Sequence, residues 1–177
     1  MDEEPKKARI TCAQGDITQQ DDIDIIVNAA NSKLMPGGGV AGAIHRAAGP
    51  ELAEECRRLA PIAPGEATIT DAYDLPNKRI IHTLGPVYGR DKPEDEILKK
   101  CIVNSLRLAE KEKAGSIAFP AISTGAFGYP IDEAARTIMR AIREIIYELE
   151  SLEEIRFVLF SKHDYDVFKD TFKRTGL

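Results

Sequence analysis

The amino-acid sequence predicts an α/β domain of three layers, a sandwich with helices on both faces of one central sheet. Three observations carry this. Strand-like apolar runs and helix-period segments alternate along most of the chain, the pattern of βα units. Residues 23–30 (IDIIVNAA) are apolar and rich in isoleucine, as suits a strand covered on both faces. A length of 177 residues, 43% hydrophobic and 30% charged, suits a single domain with a real core.

The elements follow in order. A charged stretch, residues 1–8, is expected to be flexible, and a first strand covers 8–14 (ARITCAQ). The second strand, 23–30, leads into a glycine-rich loop and a short helix over 40–49 that Gly49 ends. Pro50 opens the next helix at the position proline favours. Strands at 66–72 (EATITDA) and 78–84 (KRIIHTL) are joined by a turn. Residues 93–115 have helical periodicity with acids at the start and Gly115 as the stop. A strand at 116–121, an amphipathic helix at 130–150, a strand at 155–160 and a helix at 165–175 complete the chain. The loops after four strands, at 15–18, 31–39, 123–130 and 161–166, are expected at one edge of the sheet, where open α/β sheets bind ligands.

Composition narrows the function. The net charge of −5 argues against a protein that grips nucleic-acid phosphates. Cys12, Cys56 and Cys101 are widely spaced and lack CxxC pairing, so they read as reduced core thiols and not as a metal site or disulfide framework. The N-terminus has no signal-peptide core and no apolar run reaches membrane-span length, so a cytoplasmic protein is expected, without a membrane partner.

Two loops carry chemistry. Gly37, Gly38 and Gly39, with Gly42, stand at a helix start, where unpaired N–H groups suit a phosphate. The run matches G-x-G-x-x-G only loosely, because residues 31–36 separate it from its strand, and there is no G-K-[ST] of a nucleotide triphosphatase. Residues 123–130 (STGAFGYP) form a second glycine loop between a strand and a helix; two such loops suggest a diphosphate held from both sides. Asp16 stands just past the first strand, where it either caps a turn or reads an exocyclic amine. Asn28 and Asn31 bracket the end of the second strand; one is expected to brace a loop and the other to hold a sugar hydroxyl or a water. His45 and His82 read as structural, and Phe160 either packs or stacks on a base.

Taken together and in order, GDIT (15–18), VNAAN (27–31), GGGVAGAIHRAAG (37–49), GEATIT (65–70), IIHTLGP (80–86) and PAISTGAFGYP (120–130) resemble the macrodomain family over nearly the whole chain. The resemblance implies a mixed, roughly six-stranded sheet and a cleft for ADP-ribose, with no metal and no cofactor. It implies that Asp16 reads the adenine amine beside the Ile17 amide, and that Phe160 presents its ring to the base. Gly38, Gly39 and Val40 would surround the distal ribose and diphosphate. Ser123, Thr124, Gly125, Ala126 and Phe127 would form the second phosphate loop. Asn31 and Gly39 would fix a water for catalysis. Related hydrolases carry an aspartate where this chain has Ala41, which weakens one mechanism without removing the activity. The implied function is hydrolysis of ADP-ribosyl esters, on ADP-ribosylated Asp or Glu of proteins or on O-acetyl-ADP-ribose. The alternatives are a non-catalytic reader, a nucleic-acid-binding member, or a phosphatase of ADP-ribose phosphate.

Overall fold

The structure is a computed structural model and describes residues 6–176. In chain order the elements are β1 (Arg9–Gln14), a 3-10 turn (Ile17–Gln19), β2 (Ile25–Ala29), α1 (Gly39–Ala48), α2 (Pro50–Leu59), β3 (Ala67–Asp71), β4 (Arg79–Thr83), α3 (Glu94–Lys111), β5 (Ser116–Phe119), α4 (Ile131–Ile145), a second 3-10 turn (Ile146–Glu148), β6 (Glu154–Leu159) and α5 (Lys162–Thr175). The strands form one six-stranded sheet in the order β1-β6-β5-β2-β4-β3. All neighbours run parallel except β3, which pairs antiparallel with β4 at one edge. The mixed three-layer architecture is the one expected.

Strand alternation divides the core. Val27, Ile81, Ile117 and Phe157 face α3, α4 and α5, whereas Ile26, Ile80, Ala118 and Val158 face α1, α2 and the first 3-10 turn. Neighbouring strands β2 and β5 therefore send their following helices to opposite faces. A crevice opens at the carboxyl ends of strands where this happens, and both glycine loops start there.

Several boundaries differ from expectation, among them α4, which ends at Ile145 and not at 150, and β5, which ends at Phe119 and not at 121; three others have a physical reason in view. Gly115 does not close α3: the helix stops at Lys111, and Lys113 takes the left-handed conformation (φ 55°). The Lys113 N–H donates to the Glu110 carbonyl and the Ala114 N–H to the Ala109 carbonyl, which satisfies the helix end without a glycine. Gly115 instead donates its N–H to Asp24 Oδ2. Residues 161–166 are not a loop, because the Ser161 hydroxyl accepts from the Asp164 N–H and starts α5 three residues early. The expected flexible segment 1–8 is packed at its end: Ala8 is buried, and Lys7 Nζ lies 4.6 Å from the Tyr147 ring centroid. Residues 1–5 lie outside the described residues.

Glu110, on α3, holds the turn that feeds β6. Its carboxylate accepts the N–H groups of Glu150, Ser151 and Leu152 at 2.9–3.1 Å. Burial raises its pKa, and these donors more than reverse that, leaving it below the ordinary carboxylate value. Glu110→Ala strands several donors, so urea unfolding is expected to show a loss of about 2–3 kcal/mol. Unchanged stability would mean that water replaces the carboxylate.

Candidate functional site

A cavity of about 350 Å³ lies between the carboxyl ends of β2 and β5. One wall is Asn31 and the run from Gly37 to Ala41, which crosses from the loop into the first turn of α1. The other is the loop from Pro120 through Phe127. Ala29, Ala30 and Gly85 line it from the ends of β2 and β4. Of the expected site residues, the fold thus brings Asn31, Gly38, Gly39, Val40, Ser123, Gly125, Ala126 and Phe127 to one cavity. Thr124 does not line it; its hydroxyl donates to the Ala121 carbonyl at 2.8 Å and braces the loop from within.

The walls depend on close approach. A Cβ on Gly42 would fall 2.2 Å from the Gly37 carbonyl oxygen, so only glycine lets the loop fold back over α1. Gly85 plays the same part across the cavity, where a Cβ would stand 2.1 Å from Ser123 Oγ and 2.6 Å from Ile122 Cγ2. Gly85 is absent from the sequence-derived site; its one signal is the LGP that follows β4. Ser123 has φ 67°, is 7% exposed, and its hydroxyl finds no partner among the described residues. A buried hydroxyl of this kind on a cavity wall is available to a ligand oxygen.

The two asparagines separate. Asn31 clamps its own loop: Oδ1 accepts from Met35 N at 3.1 Å and Nδ2 donates to the Met35 carbonyl at 2.8 Å. One Nδ2 hydrogen and one Oδ1 lone pair remain for the cavity. Asn28 points into the core on the α1 side and never reaches the cavity lining. Its Nδ2 lies 3.0 Å from His82 Nδ1, and His82 Nε2 lies 2.9 Å from the Thr70 hydroxyl. That hydroxyl donates to the Asp71 carbonyl, so it accepts from His82, which is neutral with its proton on Nε2. Burial, then the neighbouring His45, lowers the His82 pKa to about 3. Burial alone lowers that of His45.

Asp16, Ile17 and Phe160 lie outside the cavity, at the ends of β1 and β6. The Asp16 Oδ1 accepts from Thr18 N at 2.8 Å and from the Thr18 hydroxyl at 2.7 Å, capping the 3-10 turn. The Ile17 side chain is buried in the core beneath α1. Phe160 is 87% exposed, not packed. Gln14 pairs with Leu159, and Gly15 N donates to the Leu159 carbonyl, so Asp16 and Phe160 both stand just beyond the paired ends of the neighbouring strands β1 and β6. The carboxylate and the ring share the sheet edge that holds the cavity.

No ionisable side chain lines the cavity among the described residues. Its polar equipment is backbone N–H groups, the Asn31 amide and the Ser123 hydroxyl. Such a lining binds anions and orients water, and supplies no general base.

Known proteins are similar to this chain in sequence and fold. The Escherichia coli K12 protein named O-acetyl-ADP-ribose deacetylase is 43% identical over 96% of this chain and 98% of its own length. The Oceanobacillus iheyensis macrodomain with ADP superposes at a TM-score of 0.91, with 38% identity, over 99% of this chain and 95% of that one. The Trypanosoma brucei macrodomain in complex with ADP-ribose gives a TM-score of 0.85 and 38% identity, over 92% of this chain and 68% of that one. The Macro domain family model matches residues 27–138, which run from within β2 through both glycine loops to the middle of α4. On fold and sequence alike, the chain belongs to the macro domain family.

Proposed function

We propose that this protein binds ADP-ribose and hydrolyses its carboxylic esters, either O-acetyl-ADP-ribose or mono-ADP-ribose on Asp or Glu side chains of proteins. The observation that carries the reading is the single cavity enclosed by two glycine loops that leave neighbouring strands toward opposite faces. Their backbone donors suit a diphosphate. Asp16 and Phe160, farther along the same edge, suit an amino-purine. The named activity of the Escherichia coli relative and the ligands of the solved macrodomains support the same ligand and reaction class. We place the protein in the cytoplasm, where its three free thiols stay reduced.

Without a base on the wall, the reaction runs by positioning. Water is held between a diphosphate oxygen and the distal ribose, with Asn31 and Gly39 fixing its place, and adds to the ester. The ester C–O bond breaks, giving ADP-ribose and the carboxylic acid, whose proton leaves to solvent. Orientation alone can lower such a barrier substantially. The same lack of a base, with Ala41 on the wall, favours a second reading as a reader that binds and does not turn over.

Single-turnover assays on both esters, beside calorimetry with ADP-ribose, decide between them. Asn31→Ala is expected to slow hydrolysis at least about tenfold, roughly 1.4 kcal/mol of barrier. Its affinity should fall less, because the diphosphate and adenine contacts remain. Wild type that binds ADP-ribose but releases nothing above buffer is a reader.

A further inference from the structure

Asp16 is held from two sides. Thr18 takes both of its bonds on Oδ1, so Oδ2 remains to accept from a ligand. The Asp16 carbonyl accepts from two donors, the Gln19 N–H of the 3-10 turn at 3.0 Å and the Gln20 Nε2 at 2.9 Å. Gln20 is buried, and its Oε1 accepts from Arg156 Nη1 at 2.9 Å. A guanidinium only donates, so it forces the amide oxygen toward itself and the amide N–H groups toward Asp16. Arg156 is itself fixed, by Glu154 through Nε at 2.9 Å and by a two-pronged pair with Asp22 at 2.8 and 2.9 Å.

Arg156 lies on β6, the strand that ends beside Phe160. One relay, from β6 through the guanidinium and the Gln20 amide to the Asp16 carbonyl, therefore ties the Asp16 backbone to the strand that carries the exposed ring. A base stacked on Phe160 would present its edge to Oδ2 at a distance that this relay determines. A carboxylate accepts from an exocyclic amine and repels a carbonyl, so the placement discriminates between purines.

We propose that Gln20, oriented by Arg156, is a positioning residue that makes this site select a 6-aminopurine over a 6-oxopurine diphosphate ribose. The proposal rests on the ADP-ribose reading above. The relay joins residues 136 apart in the chain and touches neither glycine loop, so its loss should act on the base and not on the diphosphate.

The test is calorimetry with ADP-ribose and with its inosine analogue, on wild type, Gln20→Leu and Gln20→Glu. Leucine removes both bonds. Glutamate keeps the acceptor for Arg156 and cannot donate to the Asp16 carbonyl. Wild type should favour ADP-ribose by at least about tenfold. Both variants should lose at least about fivefold of that ratio through weaker ADP-ribose binding, with the inosine analogue nearly unaffected. An unchanged ratio, or an equal loss for both ligands, overturns the proposal. Loss of the fold in both variants would mark Gln20 as purely structural and overturn it too. Wild type that fails to bind ADP-ribose would instead remove the underlying reading, and that result is visible before any substitution is made.

Discussion

Gly38→Glu is expected to abolish ADP-ribose binding and leave the protein folded. Gly38 has φ −82° and ψ 178°, extended backbone open to any residue, and a Cβ there meets no atom within 4 Å. The new side chain is therefore accommodated without a clash. Gly38 also lines the cavity, so the carboxylate would occupy the space assigned to the diphosphate. Two negative charges about 4 Å apart repel by roughly 1–4 kcal/mol, depending on how much water remains between them. Lost volume adds to that, so affinity should fall by more than about 100-fold. Gly38 is the N-cap of α1, where glutamate is a poorer residue, and Tm should drop by no more than about 4 °C. Calorimetry and a thermal melt on the same sample check both parts. Retained affinity in a folded variant would place the ligand elsewhere on the molecule.

Acid is expected to destabilise the fold well before its carboxylates titrate. His82 is fully buried, and its pKa is about 3 against an ordinary 6.5. The unfolded chain binds a proton that the folded chain refuses. The His82 contribution is therefore complete above about pH 6.5 and is lost as pH falls toward 3. The slope is about 1.4 kcal/mol per pH unit, or roughly 3 kcal/mol by pH 4.5. His45, lowered by burial, acts in the same direction. Asp22, Asp91 and Glu110 have lowered pKa values, so their contributions fade only below about pH 4 and leave the upper window to histidine. Urea midpoints at pH 7, 5.5 and 4.5 measure the slope. His82→Leu should be less stable at pH 7, since it removes a hydrogen-bond partner of Asn28 and Thr70, and it should show a flatter slope, so the gap to wild type narrows as pH falls. A wild-type midpoint that does not move between pH 7 and 4.5 would contradict the lowered pKa of His82.

The places where sequence and structure part are informative. Gly49 and Pro50 were legible as a helix stop and start because each acts on its own backbone. Gly115 looked like a stop for the same reason. The real stop is Lys113, which bears the left-handed conformation because two hydrogen bonds hold it there. Ser161 with Asp164 was a readable cap, hidden inside a polar stretch that resembled a loop.

What the sequence determined by itself was local: the strands, the helices, the two glycine loops at strand ends, and the family those motifs identify. Glycine content, apolar periodicity and capping residues act within a few residues of themselves, so they can be read in one dimension. Only the tertiary structure decided that the two loops share one cavity, because that depends on β2 and β5 being neighbours with helices on opposite faces. It also sorted Asn28 from Asn31. Strand alternation turns Asn28 into the core against His82, while Asn31 stands past the strand end at the cavity. Gly85 and the Gln20–Arg156 relay are legible only in three dimensions. Their roles are distances of 2–3 Å to residues far away in the chain, and packing alone sets such distances.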